Sequence, residues 1–295
     1  MRRRTLLQGA LGLPIVSCVG QASNKINSVE KTEDTGVLFS GLAGLDYAVG
    51  GVAAGELLCF AGPPCTRKTL LLLDWASRIC GRYGKNVVFY SAHQPSVYLA
   101  KKAALRGESN IYFVEGSVAY HKGAGILLID STSADVDRIC DAASRLRREH
   151  PAGCALVILD GWSTYPERII DTEVVAGVAS YPAERWPHAL VTTERSDQLK
   201  GFAGMSRISV VMGVTTASLM DVEALAASRD LESELRRNAD HWVNLHRPEL
   251  YKSTADVRAG ERNVVELTGT SPKWWDTRCS KVRYDAREIS FATVI

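Results

Sequence analysis

The sequence predicts an α/β fold built on a mostly parallel sheet. Three observations predict it. Short apolar runs alternate with helical segments from residue 56 onward. Glycine, proline or polar turns bound those runs. A glycine- and proline-rich turn joins the first strand to the first helix.

The elements follow in order. Residues 36–55 carry turn signals and small residues. Residues 56–61 (ELLCFA) read as a buried strand, 62–69 (GPPCTRKT) as a turn, and 70–81 as a helix with Gly81 as its cap. Residues 86–91 (NVVFYS) form a second strand and 97–105 a helix. Short strands are expected at 112–114 and 126–129. Residues 133–150 form a helix, with Val136, Ile139, Ala142, Ala143 and Leu146 at helical spacing and Arg138, Arg145, Arg147 and Arg148 on the outer face. Residues 155–159 (ALVIL) make the most hydrophobic strand, ending at Asp160. A helix at 196–205 and strands at 208–214, 240–245 and 263–267 complete the pattern, with no internal repeat. One domain is expected over 37–295, preceded by an extension over 1–36.

Composition excludes other classes. With 46% hydrophobic residues and a formal charge of +2, the chain has too much apolar content and too little charge for a disordered polymer. No apolar run reaches the ~20 residues of a membrane-spanning helix. Near-neutrality gives no global attraction to nucleic acid, so such binding requires a local patch. The 7 cysteines are scattered, without a CxxC pair or zinc-ligand spacing, which fits reduced thiols.

The first twenty residues argue differently. Arg2, Arg3 and Arg4 precede a short apolar stretch and Ser17-Cys18, and the whole resembles a twin-arginine export signal with a lipoprotein processing box at Cys18. The plainer alternatives are a basic, partly helical extension or a start codon placed too early. Residues 21–36 read as a polar linker.

The turn GPPCTRKT fits GxxxxxKT between a strand and a helix, where a Walker A phosphate loop belongs. The loop formed by Gly62, Pro63, Pro64, Cys65, Thr66 and Arg67 would wrap the phosphates with its backbone N–H groups. Lys68 would reach the β/γ phosphates and Thr69 would ligate Mg²⁺. Arg67 stands at the usual glycine before the lysine, and Cys65 where many such loops also have glycine.

The stretch 35–69 (TGVLFSGLAGLDYAVGGVAAGELLCFAGPPCTRKT) resembles the opening of the RecA-type ATPase domain of DnaB-family replicative helicases, with its TG…TG…LD…GG…GDL prelude. The resemblance continues in order. Val87 to Ser91, then Ala92-His93-Gln94, resembles a strand ending in Ser-Leu-Glu-Met. Ile129-Asp130-Ser131-Thr132 resembles an Asp-Asp-Thr segment. Residues 145–150 and 155–160 resemble the arginine-rich helix and Walker B strand. Residues 198–211 resemble the helix and strand before the Ser-Gln-Leu sensor, 230–240 (DLESELRRNAD) the Asp-Leu-Arg-Glu-Ser…Ala-Asp segment, and 245–251 (LHRPELY) the Tyr-Arg-Asp-Glu-x-Tyr segment.

The resemblance implies a RecA-like P-loop NTPase core, a mostly parallel twisted sheet flanked by helices. It implies ATP and Mg²⁺ as cofactors, and Asp160 as the Walker B carboxylate holding Mg²⁺ with Thr69. It also implies single-stranded DNA as a partner and a homo-oligomeric ring such as a hexamer. Candidate DNA contacts are Arg168, Arg195, Lys200, Arg207, Arg229, Arg236 and Arg237. Trp162, Trp186, Trp242, Trp274 and Trp275 could stack on bases, although core packing is the ordinary role of each.

The departures bear on turnover. His93 replaces the family's water-activating glutamate and lacks its permanent charge. The sensor glutamine is missing, with Thr215 or Thr216 near its place. The Lys-x-Arg-Asn-Gly motif that supplies an arginine finger is absent, leaving Lys273, Arg278 or Lys281 as substitutes. Residues 1–36 are too few for the family's N-terminal helical domain. The expectation is an ATP-binding, nucleic-acid-associated, DnaB-like helicase-domain protein with impaired hydrolysis. The alternatives are a non-catalytic binding or assembly protein and an exported protein reusing the fold. Because free ATP is scarce outside the cytoplasm, a cytoplasmic location is expected, with no membrane partner unless the N-terminal signal operates.

Overall fold

The computed structural model describes residues 36–92, 94–105, 111–114, 123–129, 136–163, 193–216, 232–233, 235–252, 256–273, 277–287 and 289–294. A small two-stranded antiparallel ribbon, β1 (Val37–Leu38) and β2 (Val52–Ala53), brackets helix α1 (Ala43–Val49). Then follow β3 (Leu57–Gly62), α2 (Lys68–Tyr83), β4 (Asn86–Ser91), α3 (Ser96–Leu105), β5 (Ile111–Val114), β6 (Ile126–Ile129), α4 (Val136–Glu149), β7 (Cys154–Ser163), α5 (Thr193–Ser206) and β8 (Ser209–Thr215). The chain closes with β9 (His241–His246), 3₁₀ turns at Pro248–Tyr251 and Ala259–Glu261, β10 (Val264–Thr270), β11 (Arg278–Asp285) and β12 (Ser290–Thr293).

The described strands other than β1 and β2 form a sheet ordered β12-β11-β10-β9-β3-β8-β7-β4-β6-β5. From β9 to β5 every pairing is parallel. The β10–β12 meander extends the sheet antiparallel. Alternation along β3 divides the core between two faces. Leu58 and Phe60 pack with α1, α2 and α3, whereas Leu57, Cys59 and Ala61 pack with α4 and α5. Both faces of the central strands are covered, which is why 57–62 is apolar throughout rather than alternating with polar residues.

Helix α2 lays Leu71, Leu72, Trp75, Ala76 and Ile79 on the sheet, and Trp75 meets Phe60 edge-on, with ring centroids 5.7 Å apart. Its cap is not Gly81, as the sequence pattern predicted, but Gly84. Gly84 takes φ +60° and donates its N–H to the Cys80 carbonyl at 3.1 Å. Gly81 lies inside the helix because the apolar face runs on through Cys80 to Tyr83. Strand β7 also departs from expectation, continuing past Asp160 to Ser163. A register shift against β8 falls between Asp160 and Trp162, where Gly161 takes φ +93°. This bulge re-aims Asp160 without ending the pairing.

Two glycines let α1 and the β10–β12 meander approach closely. A Cβ on Gly269 of β10 would lie 1.8 Å from the Ala48 carbonyl of α1, and one on Gly44 of α1 would lie 2.9 Å from the Lys281 carbonyl of β11. Helix α1 therefore sits directly on the meander. Asp46 closes the turn before it, accepting from Ser40 N at 2.6 Å and from the Ser40 hydroxyl at 2.7 Å. Among the described residues, no helix is long and apolar enough to cross a membrane.

Candidate nucleotide site

The turn after β3 wraps the N-terminus of α2, at the carboxyl ends of the parallel strands, where open α/β sheets bind ligands. Gly62 must be small: a Cβ there would lie 2.7 Å from the Leu245 carbonyl and 3.3 Å from the Thr66 hydroxyl. Thr66 is buried and donates to the Pro63 carbonyl at 2.9 Å, tightening the turn. Pro64 and Cys65 are exposed at its crest.

Lys68 is buried, and its ammonium donates to the carbonyls of Gly62 at 2.7 Å and Pro63 at 2.8 Å and to the Thr66 hydroxyl at 3.2 Å. Carbonyl dipoles supply only part of the negative charge such a cation calls for. Burial pushes the Lys68 amine down to about 8, against an opposing pull from Asp160. A phosphate-bearing ligand would complete its coordination and restore the charged form.

Asp160, at the turn of the β7 bulge, is 2% exposed. Its Oδ2 accepts from the Thr69 hydroxyl at 2.7 Å and from the Ser91 hydroxyl at 2.8 Å. The other oxygen leans over Gly213 of β8, where a Cβ would lie 2.9 Å from Oδ1. Ser91 also accepts from Gln94 N at 3.2 Å, and Ala92 N donates to the Asp160 carbonyl at 2.8 Å. Thus the chain leaving β4 is tied to Asp160 by backbone and side chain. Ser91 was missed as a site residue; its place at the end of an apolar strand beside the Asp160 strand was the available signal.

One hydroxyl and one carboxylate, Thr69 and Asp160, fit the protein's share of a Mg²⁺ site, because Mg²⁺ in nucleotide sites takes its remaining ligands from phosphates and water. Thr215 and Thr216, the residues near the sensor position, adjoin the loop. Thr215 pairs in register with Gly62, and Thr216 N donates to the Gly62 carbonyl at 3.1 Å.

The two non-glycine positions both take left-handed backbone, Cys65 at φ +64° and Arg67 at φ +66°. For ordinary residues that conformation costs about 1–3 kcal/mol each. Arg67 lies over the Tyr284 ring, 4.2 Å from its centroid, and donates to Asn263 Oδ1 at 2.8 Å. Asn263 itself sits at φ +58°, with its N–H donated to Glu249 at 2.9 Å. Arg247 pairs with Glu249 and donates to the Cys65 carbonyl at 2.9 Å. Beside it, His246 stacks on Tyr251 with rings 5.2 Å apart and 8° from parallel. The 245–251 segment thus braces the loop 62–69.

Other sequence candidates are placed elsewhere or lie outside the described residues. His93, Asp130, Arg168, Trp186, Arg229, Trp274 and Trp275 lie outside them, as do the side chains of Trp162 and Arg195. Lys200 pairs with Asp240, and Arg236 pairs with Glu232 at 2.9 Å while covering Trp242, 4.6 Å from its ring. Trp242 is buried and donates to Asn244 at 2.9 Å, which gives it a packing role rather than a base-stacking one. Arg237 is exposed, and the Arg207 carbonyl accepts from Arg147 at 2.8 Å. Lys273 pairs with Glu56, which precedes β3 and so stands at the opposite end of that strand from the phosphate loop. Lys281 pairs with Glu266 at 2.8 Å, and Arg278 lies 5.8 Å from the Tyr47 ring.

A pH dependence follows from Lys68. Above about 8 the ligand-free amine is neutral, so a phosphate-bearing ligand that engages the ammonium would first require uptake of a proton. Affinity for ATP is expected to be level below that pH and to fall by up to about tenfold per unit above it. Calorimetric titrations between about pH 6.5 and 9.5 in buffers of different ionisation enthalpy would show this as proton uptake; a flat profile with no uptake would refute it.

No protein-family model matches the chain, and no curated protein is detectably similar to it in sequence. Solved structures do match. An isolated ATPase domain superposes with a TM-score of 0.64 at 15% identity, covering 89% of this chain and 94% of that one. A DnaB-like replicative helicase, described with its interactions with primase, superposes with a TM-score of 0.60 at 15% identity, covering 88% of this chain and 62% of that one. The fold is therefore that of the RecA-like ATPase domain of DnaB-like helicases.

Proposed function

We propose that this protein binds ATP with Mg²⁺ at the loop 62–69 and acts on single-stranded nucleic acid as a homo-oligomer, with slow hydrolysis. The observation that carries the reading is the arrangement of Lys68, Thr69 and Asp160. A buried ammonium lies in the loop, and a hydroxyl in the first turn of α2 is bonded to a buried carboxylate on β7. Those groups supply binding, Mg²⁺ placement and charge neutralisation. Lys68 and the loop N–H groups would hold the β and γ phosphates. Thr69 would meet the metal directly, and Asp160 would orient its water.

Slow hydrolysis is supported by what the sequence has at the remaining positions. His93 stands where a permanent carboxylate would activate water, and no Arg-Asn-Gly motif follows β10. A missing arginine finger alone is worth about 10³–10⁵ in rate. The Arg67 side chain is turned onto Tyr284 and Asn263, so the substitution most visible in the loop does not itself argue against nucleotide binding.

The test is an ATP-binding titration together with hydrolysis measured across a single-stranded DNA titration, in wild type and His93→Glu. Expected are micromolar-range binding, low basal turnover, and a gain of about 10²-fold with glutamate at 93, the lower end of a general-base contribution. Brisk DNA-stimulated turnover in wild type would overturn slow hydrolysis. Binding of neither ATP nor DNA would overturn the reading. Binding without any turnover in either form would favour the assembly-protein alternative.

A further inference from the structure

The phosphate loop of this chain lacks glycine at two positions whose backbone is left-handed, yet its lysine is buried within the turn. Something other than backbone freedom must hold it. The holding groups come from the far end of the chain: Asn263 and Tyr284 on the Arg67 guanidinium, and Arg247 on the Cys65 carbonyl. Each strained residue is gripped once or twice, and the grips share partners, because Glu249 takes both Arg247 and the Asn263 N–H. With residue 67 left-handed, the guanidinium has a cation–π contact and a hydrogen bond to set against the backbone cost. Burial of its Nε, unpartnered among the described residues, and the nearby Arg247 charge weigh on the other side.

We propose that Asn263, Tyr284 and Arg247 are positioning residues for nucleotide binding, forming a latch that replaces the two missing glycines by holding Arg67 and Cys65 in left-handed backbone. The inference rests on the nucleotide-binding reading of the loop. It makes a distinctive demand: the Asn263 and Tyr284 grips matter only while residue 67 is not glycine. In wild type, releasing Arg67 lets the loop relax away from the left-handed form and leaves a mobile guanidinium beside Lys68. With glycine at 67 the loop holds its shape unaided there, and those two residues become dispensable.

The experiment is a double-mutant cycle on the full chain. ATP affinity is measured for wild type, Asn263→Ala, Arg67→Gly and the double variant, with Tyr284→Leu as a second release of Arg67. Asn263→Ala is expected to weaken ATP binding about tenfold in wild type and less than about twofold in the Arg67→Gly background. The thermal midpoint of each variant is recorded, since a merely structural role would lower affinity and stability alike in both backgrounds.

A second readout needs no nucleotide. Cys65 is exposed in the loop, and its alkylation rate, followed by peptide-resolved mass spectrometry, reports loop geometry. Asn263→Ala is expected to change that rate several-fold in wild type and leave it unchanged with glycine at 67. If wild type binds no ATP but the alkylation rates couple, the latch stands and the nucleotide reading fails. If ATP binds but neither readout couples, the latch is overturned and the nucleotide reading survives. Equal losses in both backgrounds also overturn the latch.

Discussion

Lys68→Met is expected to lower ATP affinity by roughly 10²- to 10³-fold, the cost of leaving polyphosphate charge in a site without its buried partner. The same change is expected to leave the thermal midpoint equal or higher at neutral pH. The two effects have opposite signs for one reason. In the folded chain the ammonium is desolvated, and its pKa falls from 10.5 to about 8. Below about 8 both folded and unfolded chains carry the proton, so the folded chain bears the full cost of a buried charge. Between about 8 and 10.5 the unfolded chain binds more protons than the folded one, and stability rises with pH. Methionine keeps the volume and removes the charge. A Lys68→Met variant that still binds ATP normally would place the nucleotide elsewhere. One that unfolds at neutral pH would show that the hydrogen bonds to the Gly62 and Pro63 carbonyls stabilise more than desolvation costs.

Gly269→Ala is expected to destabilise the domain by about 3–5 kcal/mol, beyond ordinary overpacking because the obstruction is backbone rather than a movable side chain. The new Cβ would lie 1.8 Å from the Ala48 carbonyl oxygen, so helix α1 must shift or β10 must bend. For a domain of this size the thermal midpoint should fall on the order of 10 °C. Gly201→Ala is the control: nothing lies within 4 Å of its Cβ, it is inside α5, and alanine there should raise stability by about 0.5–1 kcal/mol. Calorimetric melts of both variants decide the matter. Equal midpoints for the two would mean that α1 is not held against the meander.

Much of the architecture was legible where apolar runs were short and sharply bounded. Strands β4 and β6 match the expected 86–91 and 126–129 at both ends, because Gly84-Lys85 and Gly125 punctuate them. The amphipathic α4 was legible too, over its described extent Val136–Glu149. Helix α1 was not, since seven residues with glycine at the second position give too little periodicity to separate from a turn. Strand β11 hid for another reason. Only Val282 and Tyr284 of its inward face are buried, and charged residues dominate the rest. The chemistry of Lys68, Thr69 and Asp160 could be read because strand, turn and helix give it a local frame. The course of Arg67 could not: its partner Asn263 is 196 residues away, and no local pattern announces such a contact.

The position of β3 in the sheet has a consequence for how the molecule comes into being. β3 leads into the loop 62–69, yet its neighbours are β8 and β9, pairing Leu57 with Val210 and Leu58 with His241. A ribosome therefore releases the loop early and its flanking strands late. The β4, β6 and β7 group can assemble from segments nearer in sequence, while β3 waits, a bare apolar strand, until most of the polypeptide has emerged. Parallel pairings of that span close slowly. During synthesis the nascent chain thus keeps an entirely apolar central strand unpaired, and that strand is the one a chaperone would be called on to shield.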